Sequence, residues 1–324
     1  MSIAPAAQIV PSDGLCRILS LDGGGAKGFY TLGVLAQIEA MLNGKLLCEH
    51  FDLIFGTSTG AIIAALLSLG SKVADILSLY RQHVPTVMRN KTRVGKTEAL
   101  ARLATEVFAD KDFTQVKTGV GIVATHWLLE KPMIFKASVA QAHGRKASFI
   151  PGFGCKIADA VRASCSAYPF FDRVVLTTGQ GVTVELFDGG YCANNPTLYA
   201  VADAVKAYKK DYADLRVLSV GVGVYPEPKR WAPKNPVMWA VKVCLGFTAL
   251  QLLQKTLNVN TTSLEQLRSI LFNDIQAVRI NETFDQPEMA TDLLEADLTK
   301  LDLLYQRGWE SFAAHENALR ELLL

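Results

Sequence analysis

The segment Gly56-Thr57-Ser58-Thr59-Gly60 has the pattern of a serine nucleophile, because it fits G-x-S-x-G between a strand pattern and an Ala/Leu/Ile-rich helix pattern. In that context a tight turn exposes the serine hydroxyl, and the glycines at 56 and 60 let neighbouring backbone pass close to it. The following helix would also direct the positive end of its dipole toward a developing oxyanion. The alternative is a Gly/Ser turn without chemical importance, since G-x-S-x-G alone is common.

A glycine-rich segment, Asp22-Gly23-Gly24-Gly25-Ala26-Lys27-Gly28, follows the first strand pattern and opens the first helix pattern. Consecutive glycines at this position can direct several backbone N–H groups into one pocket, which suits a phosphate or an oxyanion. The segment also fits G-x-G-x-x-G. However, a dinucleotide fingerprint needs an acidic residue after the second strand, where Gly56 stands. The motif therefore disfavours a dinucleotide cofactor.

The sequence alone does not identify the residue that would act as the general base for Ser58. The histidines are at positions 50, 83, 126, 143 and 315, and only His315 is late enough for a Ser…Asp…His order. Its charged helical surroundings are typical of a solvated face. Asp188, followed by Gly189 and Gly190, ends an apolar strand pattern at the end where open α/β sheets bind ligands. Burial would raise its pKa toward that of a general base, but an Asp-Gly pair alone is more often an ordinary turn.

Short apolar β-rich runs alternate with helical periodicities, which predicts an α/β fold with a mainly parallel central sheet flanked by helices. Strands are predicted at 18–21, 53–55, 121–125, 133–136, 182–187 and 215–220. Helices are predicted at 31–42, at 61–67 and from Pro196 to about residue 210.

The 324 residues are half hydrophobic and one fifth charged, which excludes a disordered chain. We expect an N-terminal tail at 1–14 and one catalytic domain at 15–324, whose part from about 237 onward is a helical C-terminal extension. The uncharged run 53–71 is long enough for a membrane span, but its glycines divide it into a strand and a helix. The N-terminus lacks the basic residues of a signal peptide. The chain is therefore expected in the cytoplasm, with peripheral contact at the inner membrane left open.

Charge and cysteine usage exclude several classes of function. The 33 basic and 31 acidic residues leave a formal net charge of +2, which does not select nucleic acid. The six cysteines form no C-x-x-C pair, so reduced thiols are expected rather than a zinc site or disulfide framework. No EF-hand loop is present. The basic segment 81–96 (Arg81, Arg89, Lys91, Arg93, Lys96) predicts either an anion-binding patch or a solvated loop.

Taken together, the three motifs resemble the patatin-like phospholipase family, in which a glycine-rich motif, G-x-S-x-G and Asp-Gly-Gly follow in this order. Two accessory stretches, 162–171 and Ala193-Asn194-Asn195-Pro196, also match, and the resemblance spans roughly 17–224. It implies Ser58 as nucleophile, Asp188 as base without a histidine, and the amides of Gly23, Gly24 and Gly25 as oxyanion hole. The residues that would support these motifs are Lys27, Gly28, Gly56, Gly60, Gly189 and Gly190.

Two positions depart from the family pattern. Lys27 stands where the family most often has Arg, which removes the planar bidentate fork but keeps the charge. Gly221-Val222-Gly223 stands where many relatives have Gly-Thr-Gly. Neither position belongs to the implied dyad.

The resemblance implies acyl transfer from the esters of membrane phospholipids, with no cofactor and no metal. Some bacterial members of the family are antiphage effectors switched on by cyclic nucleotides. The alternatives to a constitutive lipid acyl hydrolase are therefore a nucleotide-gated phospholipase and a non-catalytic ligand-binding relative. The sequence does not indicate an oligomeric state.

The stretch 237–253, VMWAVKVCLGFTALQLL, contains Lys242 as its only charge. Its helical spacing places Trp239, Phe247 and Leu250 on one apolar face. Such a helix either packs in the core or against a second subunit, or it faces lipid with Trp239 at the headgroup level.

Overall fold

The apolar segments around Ile18 and Ile54 pair in parallel at the centre of an eight-stranded sheet. This computed structural model describes residues 14–143, 146–228 and 247–324. The strands in chain order are β1 (Cys16–Leu21), β2 (Leu53–Thr57), β3 (Gly119–His126), β4 (Lys131–Lys136), β5 (Val174–Thr177), β6 (Thr183–Asp188), β7 (Leu215–Val220) and β8 (Gln276–Ile280). All six predicted strands are present.

Strand order explains why the sheet is mixed rather than parallel throughout. Neighbouring strands follow the order β5-β6-β3-β2-β1-β7-β8, and β4 pairs with β3. Five adjacent strands are mutually parallel, in the spatial order β3, β2, β1, β7 and β8. The strands β4, β5 and β6 run antiparallel to their partners. The β3–β4 and β5–β6 connections span only four and five residues, too short for the crossover that a parallel pair requires. The predicted α/β class is confirmed.

Helices cover both faces of this sheet. They are α1 (Gly28–Met41), α2 (Leu47–His50), α3 (Thr59–Ser68), α4 (Val73–Arg89), α5 (Arg93–Phe108), α6 (Ile157–Cys165), α7 (Gly190–Ala193), α8 (Thr197–Lys206), α9 (Phe247–Leu271) and α10 (Leu298–Leu323). Pro196 caps α8 rather than beginning it, and α8 ends four residues earlier than predicted. No helix of the described ranges is long and apolar enough to cross a membrane.

The C-terminal region is not purely helical, because β8 extends the sheet as its edge strand beside β7. Its sequence, QAVRI, is only half-buried and contains an arginine, so it lacks the apolar run that identifies a central strand. Most of the predicted helix 237–253 lies outside the described residues. The described helix begins at Phe247.

The basic segment 81–96 belongs to α4 and α5 and the short turn between them, so the expectation of a solvated loop is wrong. Arg81 pairs with Asp302 at 2.9 Å and Arg93 with Asp172 at 2.6 Å. Of the cysteines, the five at 16, 48, 155, 165 and 192 are free thiols in the structure, and Cys244 lies outside its described residues.

Helices α1 and α10 cross in contact at two glycines, and this contact generates a stability prediction. A Cβ at Gly308 would lie 2.2 Å from the Tyr30 carbonyl oxygen, and one at Gly33 2.0 Å from the Tyr305 carbonyl oxygen. Gly308→Ala should therefore lower the free energy of unfolding by about 1–3 kcal/mol through overpacking, although the same change in a free helix gains about 1 kcal/mol. Urea denaturation measures this difference.

The matched control is Gly95→Ala in α5, where the added Cβ would meet only side-chain atoms of Asn90 and Thr92. That variant should stay within about 1 kcal/mol of wild type. Equal stability of the two variants would contradict the close helix contact.

Candidate active site

Two strands meet end to end along one edge of β3. Strand β4 occupies the other edge over residues 121–126, so β2 and β6 must share the remaining edge. Strand β2 runs parallel to β3 and ends with Thr57 opposite Val123. Strand β6 runs antiparallel and ends with Asp188 opposite Ala124. Their carboxyl ends therefore converge, and the residues that follow them must share one small volume.

Ser58 occupies the turn directly after β2 and faces Asp188. Its Oγ donates a hydrogen bond of 2.8 Å to Asp188 Oδ2. The backbone has φ 53° and ψ −122°, a strained conformation for a residue with a side chain. The Ser58 N–H donates to Ser164 Oγ at 2.9 Å, and the Ser164 hydroxyl donates to the Val123 carbonyl at 2.5 Å. Ser164 thus holds the strained turn against β3.

Asp188 is a buried carboxylate without a charged partner among the described residues. It is 3% exposed, and its Oδ1 accepts a 2.7 Å hydrogen bond from the Gly190 N–H. Burial raises its pKa to about 7, and the hydrogen bonds from Gly190 and Ser58 oppose that rise. At neutral pH this carboxylate is poised to accept a proton.

The glycines around the pair are required by close backbone approach. A Cβ at Gly189 would lie 2.1 Å from the Val123 carbonyl oxygen, and one at Gly56 would lie 2.2 Å from the Gly60 carbonyl oxygen. These positions accept no side chain without displacing β3 or the turn that carries Ser58.

The glycine-rich loop lies beside Ser58 but uses its amides unequally. The Gly23 N–H donates to the Asn194 carbonyl oxygen at 3.0 Å, so it is not available to an oxyanion. In the described part of the chain the N–H groups of Gly24 and Gly25 have no acceptor. Both residues line the cavity that contains Ser58, and Gly25 has φ +58°. The expected oxyanion role thus fits two of the three glycines.

Asn194 explains why the Ala193-Asn194-Asn195-Pro196 stretch accompanies the motif. Its carbonyl accepts from Gly23 as described, and its Nδ2 donates to the Gly23 carbonyl oxygen at 3.3 Å and to Thr261 Oγ1 at 2.7 Å. The stretch thereby fixes the glycine loop relative to the strand that ends at Asp188.

A second buried carboxylate, Asp22, anchors the start of the glycine loop through Arg279 of β8. Arg279 Nη1 donates to Asp22 Oδ1 at 2.9 Å and to Ser219 Oγ at 2.7 Å, and Nη2 reaches the other carboxylate oxygen at 2.5 Å. Burial raises the pKa of Asp22, and the Arg279 guanidinium opposes that rise. Sequence reasoning missed Arg279; the only signal is an arginine within an otherwise strand-like segment.

Lys27 follows the loop and is also buried. Burial lowers its pKa to about 8, while Asp292 and Asp22 act in the opposite direction. The next residue, Gly28, leaves room for α3, because a Cβ there would lie 2.4 Å from Thr59 Oγ1. These contacts indicate that Lys27 and Gly28, at the end of the motif, pack behind the glycine-rich loop.

Ser58 and Asp188 lie at the polar end of a narrow apolar cavity of about 70 Å³. Its walls come from α4, α5 and α9 and from two loops, and include Val84, Val87, Leu100, Leu103, Phe170, Phe171, Leu253, Leu257 and Leu293. This volume admits only a few water molecules. Among the described residues, no histidine lines the cavity. Burial raises the pKa of the neighbouring Cys165 thiol, so that thiol stays protonated.

The patatin-like phospholipase model matches residues 19–201, which is more than half of the chain. The chain belongs to the patatin-like phospholipase family. The predicted class, a hydrolase of lipid carboxylic esters, is confirmed by this membership and by similarity to named phospholipases.

Three relatives of this patatin-like phospholipase place it within the family. A cUMP-AMP-activated phospholipase of Escherichia coli is 59% identical over 100% of this chain and 99% of its own length. A cGAMP-activated phospholipase of Vibrio cholerae is 28% identical over 63% of each chain. Patatin-like protein 1 of Arabidopsis thaliana is 25% identical over 93% of this chain and 80% of its own.

The ion pair beneath the glycine loop yields a prediction. Arg279→Met should leave Asp22 buried without a cation and lower the free energy of unfolding by about 3–5 kcal/mol. The double variant Asp22→Asn, Arg279→Met should be more stable than the single variant, because the uncompensated charge is gone. Thermal or urea unfolding measures both. A single variant as stable as wild type would contradict the pairing.

Proposed function

We propose that Ser58 attacks an acyl ester carbonyl of a phospholipid while Asp188 takes the hydroxyl proton. The observation that carries this proposal is the 2.8 Å hydrogen bond from Ser58 Oγ to a buried carboxylate that no cation in the described residues neutralises. An ionised carboxylate in this position is the acceptor that a serine hydroxyl needs as its oxygen forms the new bond.

The amides of Gly24 and Gly25, with the positive end of α3, would hold the oxyanion of the tetrahedral intermediate. Each backbone donor of this kind contributes about 10²–10³ in rate. Collapse of the intermediate transfers the proton to the departing alcohol, so a lysolipid leaves and an acyl group remains on Ser58. Water then attacks this ester, with Asp188 again accepting a proton, and releases a fatty acid.

Substitution of either residue of the dyad tests this mechanism. Ser58→Ala and Asp188→Asn should each reduce hydrolysis of a fluorogenic phospholipid to background, and the double variant should be scarcely worse than either single one, because the two residues act as a unit. A serine-directed fluorophosphonate should label wild type at Ser58 alone. Full activity of Asp188→Asn, or labelling elsewhere, would overturn the assignment.

The raised pKa of Asp188 gives the reaction a definite pH dependence. Because the ionised form is the base, kcat/KM should rise as pH increases through about 7 and then level off. The same shift has the opposite effect on stability: the folded state holds the proton more tightly than the unfolded state. The free energy of unfolding should therefore fall between pH 4 and 7, a slope that Asp188→Asn should reduce. A flat kcat/KM profile over pH 5.5–8.5 would contradict this role.

We further propose that a cyclic dinucleotide activates the enzyme, as the names of the Escherichia coli and Vibrio cholerae relatives state for those proteins. The hydrogen bond between Ser58 and Asp188 is already formed, whereas the cavity of about 70 Å³ beside it is too small to enclose a long acyl chain. Activation would then widen access to Ser58 rather than build the dyad. A nucleotide-gated phospholipase suits a defence effector that degrades the membrane of its own cell.

We propose residues 15–324 as one catalytic domain. The pair Arg279–Asp22 joins the C-terminal strand β8 to the glycine loop, and α10 packs along α1. The C-terminal region therefore supports the site directly.

Peripheral contact with the membrane is proposed through the outer face of α9. Leu253 and Leu257 of this helix close the apolar cavity, while Leu252 and Val259 on another face are 65% and 68% exposed. An apolar face adjoining the cavity would shorten the path of a lipid from the bilayer to Ser58.

Val259→Asp tests that contact. It should lower binding to phospholipid vesicles and their hydrolysis at least fivefold while leaving hydrolysis of a short monomeric ester unchanged, because a carboxylate resists transfer into the interface. The control is Val175→Asp on β5, where the valine is 63% exposed but does not line the cavity. Equal vesicle hydrolysis by both variants would remove α9 as the contact surface.

A further inference from the structure

A second cavity, of about 630 Å³, lies between β4 and the β5–β6 hairpin and contains no residue of the catalytic dyad. Its lining combines cationic, amide, hydroxyl and aromatic side chains, unlike the apolar slot beside Ser58. Its size falls within the range of cavities that hold a nucleotide-sized ligand.

One wall of this second cavity is a polar cluster built on a buried carboxylate. Asp203 is 1% exposed, and its Oδ1 accepts from Lys136 Nζ at 2.5 Å and contacts His143 Nε2. Gln141 Nε2 donates to the other oxygen at 2.9 Å. Lys136 and His143 line the cavity, and Lys136 Nζ also lies 3.1 Å from His143 Nε2 and 3.5 Å from the Gln141 carbonyl oxygen. A lysine and an imidazole held side by side at a cavity wall are suitable contacts for the oxygens of a phosphodiester.

The lining of this cavity also includes an exposed aromatic ring on a rigid support. Phe153 is 39% exposed, yet its ring packs edge-on against buried Phe135 at 5.6 Å, and Phe135 stacks on Phe113 at 6.2 Å. An exposed ring held in this way offers a face on which a nucleobase can stack.

The backbone of Phe153 is held in an unfavourable conformation that favours a functional explanation. Its φ is +56°, a value that aromatic residues rarely adopt. Its carbonyl accepts from the Gly179 N–H at 2.7 Å, and Gln180 Nε2 donates to the Ser148 carbonyl at 3.2 Å. These bonds tie the aromatic wall to the β5–β6 hairpin. Strain maintained by surrounding contacts is concentrated at ligand sites.

Strand β6 connects this second cavity to the dyad. Val182 and Val184 line the cavity at the start of the strand, and Asp188 ends it, about 17 Å further along at 3.3 Å per residue. Only three residues of β6, Leu186 to Asp188, pair with β3. A ligand that moves the hairpin would therefore act on the one strand that carries the base.

We propose that this second cavity is the binding site of the activating cyclic dinucleotide, with a base stacked on Phe153 and a phosphodiester facing Lys136 and His143. This assignment rests on the proposed activation by a cyclic dinucleotide. It adds the surface that binds the nucleotide and names β6 as the strand through which binding would act on Asp188.

Calorimetric titration of the Ser58→Ala protein with cyclic UMP-AMP, and vesicle hydrolysis by the active protein against nucleotide concentration, test the assignment. Phe153→Leu keeps the packing on Phe135 but removes the aromatic face, and His143→Ala leaves Lys136 to balance Asp203. Each should raise the dissociation constant and the half-maximal activating concentration at least tenfold, with the wild-type maximum reached at saturating nucleotide.

The matched control is Tyr212→Leu, because Tyr212 is 40% exposed and packs edge-on against Phe272 at 5.5 Å but lines neither cavity. It should bind cyclic UMP-AMP as wild type does.

Wild-type affinity in both Phe153→Leu and His143→Ala would overturn the site while leaving nucleotide activation standing. Failure of the wild-type chain to bind cyclic UMP-AMP would overturn both. Should Phe153→Leu lower the melting temperature, His143→Ala alone decides.

Discussion

The shared edge of β3 is the constraint on which the active site depends. Because β4 fills one edge, β2 and β6 must occupy the other and converge from opposite directions. The convergence places the Ser58 hydroxyl and the Asp188 carboxylate at hydrogen-bond distance. It also explains the lack of a side chain at Gly189, because a Cβ there would lie 2.1 Å from the Val123 carbonyl oxygen of β3.

Two buried carboxylates near the glycine loop have opposite electrostatic environments. Asp22 is bound by the two Nη atoms of Arg279 and has a structural role, since a paired buried charge stays ionised and fixed. Asp188 receives only hydrogen bonds from Ser58 and Gly190 in the described structure, so burial sets its pKa near neutrality. The chain thus stabilises one carboxylate with a cation and leaves the other able to exchange a proton.

The parts of this site that follow from local turn chemistry could be predicted from the sequence. Ser58 and its flanking glycines are identified by the strand, turn and helix in succession, and Asp188 by the apolar strand before it. The reason given for Asp188 was incomplete, since β6 is antiparallel and reaches the site only because it overlaps the last three residues of β3. The sequence predicts that the Gly23 N–H belongs to the oxyanion hole, but this N–H donates to the Asn194 carbonyl oxygen. Ser164 and Arg279 act across more than 100 residues of sequence, and such pairings carry no periodic signal.

The Ser58–Asp188 hydrogen bond, already formed beside a cavity of about 70 Å³, limits what the proposed activator has to change. Reversing an equilibrium from 1% to 99% open requires about 10⁴-fold tighter binding to the open state, roughly 5.5 kcal/mol. One stacked base contributes about 1–3 kcal/mol, so the base on Phe153 would supply part of this figure and the phosphodiester contact at Lys136 and His143 must supply the rest. This binding free energy shifts the equilibrium only if the ligand binds two arrangements of the same element with different affinities. The β5–β6 hairpin is the element we propose for this role, because its turn lines the second cavity and it is held to β3 by only three paired residues, the last of which is Asp188.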